Sequence, residues 1–80
     1  MAKKAYQLIF PQKLIKEPLM FMVARDHNLL LNIRRAKITA QAGEATVEFE
    51  GESKDIEAAE KILRSNGVEV EPLPGDIVEG

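Results

Sequence analysis

Between residues 29 and 41 the apolar side chains change phase: Leu29, Leu31 and Ile33 stand at odd positions, whereas Ala36, Ile38 and Ala40 stand at even ones. An extended strand keeps its faces with period two, so one strand over this span needs a bulge or bend near Arg34-Arg35. The next segment, residues 45–50, alternates cleanly, with Ala45, Val47 and Phe49 on one face and Thr46, Glu48 and Glu50 on the other. With Ala42-Gly43 as a two-residue turn, a hairpin sets Ala40 opposite Ala45, Ile38 opposite Val47 and Ala36 opposite Phe49. The other face then pairs Thr39 with Thr46, Lys37 with Glu48 and Arg35 with Glu50. Opposite charges facing across strands contribute about 0.2–1 kcal/mol per pair. A slip of one residue destroys both patterns at once.

The flanking segments complete the order of elements. Tyr6, Leu8 and Phe10 share one face of a strand over residues 6–10, closed by Pro11, which has no N–H for a ladder. Pro18 suits the first turn of a helix that runs to about residue 26, with Asn28 as its C-terminal stop. Leu19, Met20, Phe21, Met22 and Val23 are consecutive, so at about 100° per residue their side chains go right round that helix. Met20, Val23 and Ala24 with His27 form the core-facing stripe, which leaves Phe21 and Met22 outward and in need of cover. Ser53 is expected to cap a second helix, with Asp55 in its first turn. Ile56, Ala59, Ile62 and Leu63 trace its apolar stripe, Glu57–Lys61 and Glu60–Arg64 its i,i+4 pairs, and Gly67 its end. A last strand over residues 68–71 stops at Pro72, and residues 74–80 are expected as a loose acidic tail.

Strand, helix, strand, strand, helix, strand with right-handed crossovers is the ferredoxin-like βαββαβ sandwich of the α+β class. It has one four-stranded antiparallel sheet and two helices on one face, here a single domain over residues 1–73.

Composition narrows function by exclusion. The 80 residues contain no Cys, which removes thiolate catalysis, disulfides, zinc knuckles and Cys-ligated clusters, and the single His27 cannot hold a metal alone. A formal net charge of −2 argues against nucleic acid and polybasic membrane contact. The longest apolar run, residues 19–24, is far short of the roughly 20 residues of a membrane span, and no secretory leader follows Met1, so a cytoplasmic protein is expected. No catalytic residue is expected: Glu48, Glu50, Glu69 and Glu71 read as a solvated face, Ser53 as a cap and His27 as a packing residue. RNA-recognition motifs share this topology but stack bases on open-face aromatics. Here Tyr6, Phe10 and Phe49 take the inward parity, and the open face carries Gln7, Ile9, Glu48 and Glu50. No cofactor is implied. Binding and association remain. Asn32, polar among Leu31 and Ile33, offers amide donors and a carbonyl acceptor. Arg34, at the bulge, can clamp a carboxylate, and Phe21 with Met22 reads as an interface.

Residues 30–38 (Leu-Leu-Asn-Ile-Arg-Arg-Ala-Lys-Ile), a Gly-containing turn, Val47-Glu48-Phe49-Glu50-Gly51 and Gly67-Val68-Glu69-Val70 together resemble the NIL domain, named for an Asn-Ile-Leu tripeptide. Phe10-Pro11 and Glu17-Pro18 are also similar to the strand ending and helix opening of that family. The resemblance implies the same ferredoxin-like, ACT-like fold. It also implies the properties of the regulatory domain of methionine-import ABC transporter ATPases, which binds methionine and dimerises. Asn32 and Ile33 match the first two tripeptide positions, and Arg34 replaces Leu at the third. Asn32 is then expected to hydrogen-bond an amino-acid ligand, Ile33 to support it by packing, Arg34 to pair with its carboxylate, and Met20 or Met22 to line the apolar side. Stand-alone relatives look like accessory proteins of sulfur amino-acid metabolism. That implies an alternative: a ligand-free adaptor that docks such an enzyme through Phe21 and Met22.

Overall fold

The computed structural model describes residues 1–14, 18–74 and 78–79. In chain order the elements are β1 (Ala2–Pro11), a 3-10 turn (Gln12–Leu14), α1 (Leu19–Asp26), β2 (Leu30–Ile38), β3 (Ala42–Gly51), α2 (Ser53–Ser65), β4 (Glu69–Pro72) and the short β5 (Val78–Glu79). The strands form an antiparallel sheet in the order β2-β3-β1-β4, the ferredoxin-like arrangement with two helices. Val78–Glu79, from the segment expected to trail as a tail, pairs with Ala2 and Lys3 on the β4 side of β1. Residues 75–77 and 80 of that segment lie outside the described residues.

β1 is longer than its apolar alternation announces. All ten of its residues pair with β3, from Ala2 opposite Gly51 to Pro11 opposite Ala42. Ala2, Tyr6, Leu8 and Phe10 are buried on the helix side, against Ala45, Val47 and Phe49. Lys4 shares that side, half-buried, with its ammonium 5.3 Å from the centroid of the Tyr6 ring. Tyr6 and Phe49 meet at 6.1 Å between centroids with their planes tilted by 58°, a geometry that avoids stacking like-charged ring faces. Above them Ile56, Ala59 and Leu63 of α2 and Val23 and Ala24 of α1 close the core.

Both helices end in the same way. Asn28 has φ 57° and Gly67 φ 94°; Leu29 N–H bonds the carbonyl of Ala24 at 2.8 Å, and Val68 N–H that of Leu63 at 3.0 Å. These are Schellman endings, in which the residue after the left-handed one turns back onto the helix. Leu29 and Val68 are both buried there. The start of α2 corrects the reading of Ser53: Glu52 occupies the capping position, Ser53 is the first helical residue, and no side chain caps the helix.

The hairpin also differs from expectation. Ala36 faces Ala45, Lys37 faces Glu44, Arg35 faces Thr46, Ile33 faces Val47 and Asn32 faces Glu48, with a register shift between Ile33 and Arg35. The bulge falls at the expected place, but the turn does not. Thr39 Oγ1 accepts the N–H groups of Ala42 (3.1 Å) and Gln41 (3.3 Å), and Thr39 N–H donates to the Ala42 carbonyl at 2.8 Å. A hydroxyl that satisfies loop N–H groups in this way stabilises the turn at residues 39–42. Ala42 and Gly43 are released into β3 by it.

Phe49 is fully buried, whereas Ile38, at the far end of β2, is 70% exposed. Phe49→Ala is expected to destabilise by about 3–5 kcal/mol and Ile38→Ala by no more than about 0.5 kcal/mol. Urea denaturation followed by circular dichroism checks both.

Candidate functional site

The bulge gives the edge strand β2 its chemistry. An extra residue lets Arg34 turn to the sheet face that the helices leave open, beside Asn32. Between them, on β3, lies Glu48. Its position opposite Ala5 and Asn32 puts it on this open face, yet it is only 6% exposed. The expectation that Glu48 is a solvated surface group is therefore corrected. Asn32 Nδ2 donates to its Oε1 at 3.0 Å, and the Arg34 guanidinium donates to its Oε2 in a charge-assisted hydrogen bond. The lost hydration is thus replaced on both oxygens.

The Asn32 amide, helped by the Arg34 guanidinium and by Lys3, holds the Glu48 carboxyl below the ordinary carboxylate range, against the opposing effect of burial. The residues are a polar cluster whose anion is supplied by the chain itself. Beside it, Thr46 Oγ1 donates to Gln7 Oε1 at 2.7 Å, and Arg35, Lys37 and Glu44 border a shallow depression with these two.

A different feature lies on the helix side. A cleft of about 270 Å³ opens under the start of α1, lined by Phe10, Leu14, Met20, Phe21, Ala36 and Ile38 among others. It exists because α1 has only eight residues and leaves the far half of β2 uncovered. Phe21 is 53% and Met22 40% exposed on that helix, which agrees with their outward placement from the sequence.

The expected ligand residues are thereby divided between two faces. Asn32 and Arg34 come together on the open face. Ile33, opposite Val47, and Met20, in the cleft, belong to the helix side. Glu48, which joins Asn32 to Arg34, was not among the expected residues. Its signal in the sequence is the bulge, which fixes Asn32 opposite Glu48 once the turn is placed at Thr39.

A third group tethers α2 to the sheet. Tyr6 donates its hydroxyl to Glu60 Oε1 at 2.8 Å, and Glu60 also meets Arg64 at 2.9 Å and Lys4 at 3.9 Å. Burial, the bond to Glu60 and that carboxylate's charge raise the phenol's pKa strongly, so Tyr6 is a donor throughout the physiological range.

The sequence profile of the NIL domain matches residues 4–72, which span β1 to β4. The chain belongs to the NIL domain family. Among solved structures, the fold is similar to the C-terminal domain of an ABC transporter ATP-binding protein from Enterococcus faecalis. The TM-score is 0.78 at 25% sequence identity, over 90% of this chain and 84% of that one. No curated protein sequence matches the chain. No helix among the described residues is long and apolar enough to cross a membrane.

Because the folded carboxyl of Glu48 is more acidic than its unfolded form, its stabilising effect is complete above the ordinary glutamate pKa. It is lost as the pH falls through the folded value. Glu48→Gln is expected to lower the urea midpoint at about pH 6, and the gap to the parent protein should close towards about pH 3. A gap that stays constant across that range would assign the effect of the substitution to packing alone.

Proposed function

We propose that this NIL domain is a small cytoplasmic regulatory domain that binds methionine, or a closely related amino acid, without covalent chemistry and acts as a homodimer. The observation that carries this reading is the family match, which runs through Asn32 and Ile33. The similarity to the C-terminal domain of a transporter's ATP-binding protein supports the regulatory part. In this reading no residue is catalytic and no cofactor is used. Asn32 supplies amide hydrogen bonds to the ligand's polar groups, Arg34 a guanidinium for its carboxylate, and Met20 an apolar wall for its side chain. Since Asn32 and Met20 lie on opposite faces of one sheet, one ligand that meets both kinds of group draws them from two copies of the chain.

The exposure of Phe21 and Met22 favours a second reading, a ligand-free adaptor that docks an enzyme of sulfur amino-acid metabolism. Thermal unfolding with each of the twenty amino acids, homocysteine, homoserine and S-adenosylmethionine separates the two. At a hundredfold excess over Kd a ligand stabilises the native state by about 2.7 kcal/mol, a rise on the order of 10 °C for a domain of this size. The expected result is such a rise with methionine or a relative, absent in Asn32→Ala. No rise with any of them at millimolar concentration would overturn ligand binding. Loss of enzyme capture in Phe21→Glu alone would then favour the adaptor.

A further inference from the structure

The polar cluster of β2 and β3 has the stereochemistry of a carboxylate receptor that is already full. An amide N–H of Asn32 meets one oxygen of Glu48, and the guanidinium of Arg34 meets the other. One donor for each oxygen is what any carboxylate calls for, and neither bond requires that carboxylate to be part of the chain. Donors and acceptor differ in their access. Asn32 and Arg34 stand on the edge strand β2 and are exposed. Glu48 reaches them from β3 and is buried, as is Ala5 opposite it. A solute arriving from the β2 edge therefore meets both donors while the centre of the open face stays covered.

We infer that Asn32 and Arg34 form a carboxylate site that Glu48 occupies in the unliganded chain, and that a ligand's carboxylate enters by displacing Glu48. The inference deepens the amino-acid reading proposed above and rests on it for the identity of the ligand. Glu48 is then the residue that sets specificity. A bare monocarboxylate gains only the two bonds that Glu48 already makes, and it loses translational and rotational freedom that a tethered side chain has already given up. Such a solute is shut out. A ligand that carries a carboxylate and makes further contacts of its own overcomes the internal competitor.

The displaced side chain has a second cation within reach. Lys3 faces Glu50 on the same side of the sheet, one step along from the pair of Ala5 and Glu48. Diagonal neighbours across two strands lie about 7–8 Å apart, within the span of Lys and Glu side chains. The charge of Lys3 already acts on the Glu48 carboxyl. A swing from Arg34 to Lys3 exchanges one cationic partner for another, so the carboxylate stays ionised as it leaves.

Acetate, a carboxylate with no other polar group, tests the site without reference to methionine. Thermal unfolding is compared in sodium acetate and in sodium chloride at equal ionic strength. The proteins are the parent, Glu48→Ala, and Glu48→Ala combined with Asn32→Ala, with circular dichroism to verify folding. Acetate is expected to raise the midpoint of Glu48→Ala by several degrees over chloride and to leave the other two unmoved. If Glu48→Ala is unfolded in chloride, folding in acetate supports the site equally. The same response in all three proteins, or in none, overturns it. Titration calorimetry then adds methionine, or methioninol, in which an alcohol replaces the carboxylate, to the parent and to Glu48→Gln. That variant keeps the size of the side chain and loses its charge, so it decides the matter should the alanine variant not fold. Methionine is expected to bind Glu48→Gln about tenfold more tightly than the parent, because a neutral acceptor competes less well for Asn32 and Arg34. Methioninol should bind both alike. Methionine binding that is equal in the two proteins, or weaker in Glu48→Gln, overturns the displacement and leaves the amino-acid reading standing. An acetate effect as expected, with no methionine bound by either protein, keeps the carboxylate site and overturns the methionine reading.

Discussion

Everything in this domain is referred to the pairing of β1 with β3. The ten residues of Ala2–Pro11 lie along Ala42–Gly51 without interruption, and their inward side chains form the floor on which both helices rest. One end of this pair is closely packed. A Cβ on Gly51 would lie 2.5 Å from Cδ2 of the buried Leu29, so the last position of β3 accepts only a residue without a side chain unless Leu29 moves. Leu29 is itself held by the Schellman ending of α1. The end of the first helix, the start of β2 and the end of β3 are thus one packed corner. The edge strands attach to this central pair with fewer constraints, and the candidate polar cluster forms where the edge strand β2 meets β3.

The alternation of apolar residues was enough to give the order of elements, the inward sets Tyr6-Leu8-Phe10 and Ala45-Val47-Phe49, and the bulge at Arg34. The hairpin register was not legible, for a definite reason. The actual pairing near the turn is displaced by four residues from the one in which Ala42-Gly43 turns: Ala36 meets Ala45 rather than Phe49. An even displacement keeps every side chain on its own face, so the pattern of burial is blind to it. What decides is a single hydroxyl, Thr39 Oγ1, that accepts two loop N–H groups. Ala-Gly has the composition of a turn but not the local hydrogen bonds of this one. Glu48 was misread as solvated through the same displacement, because in the other register it faces Lys37 and not Asn32.

The candidate site was legible by family resemblance at Asn32 and by charge at Arg34, but not its internal anion. A carboxylate is the natural complement of an amide and a guanidinium side by side, and here Glu48 provides it. In a reading where Asn32 and Arg34 receive an amino acid, the incoming carboxylate competes with one that is already covalently part of the sheet. Among the described residues none supplies such an internal occupant for the apolar cleft on the other side, and the cleft follows from the brevity of α1. A polar surface and an apolar one are therefore separated by the thickness of one sheet.

The central position of β1 also has a consequence in time. During synthesis β1 leaves the ribosome first, but its main partner β3 begins about thirty residues later and its other partner β4 later still. The hairpin of β2 and β3, by contrast, closes through a loop of a few residues and can form by itself on the microsecond scale of such hairpins. The order of assembly is then inverted with respect to the order of emergence: the second half of the chain makes a template, and the first strand is captured by it. Until that happens Tyr6, Leu8 and Phe10 have no cover, so the growing domain exposes an apolar strand until β3 has emerged.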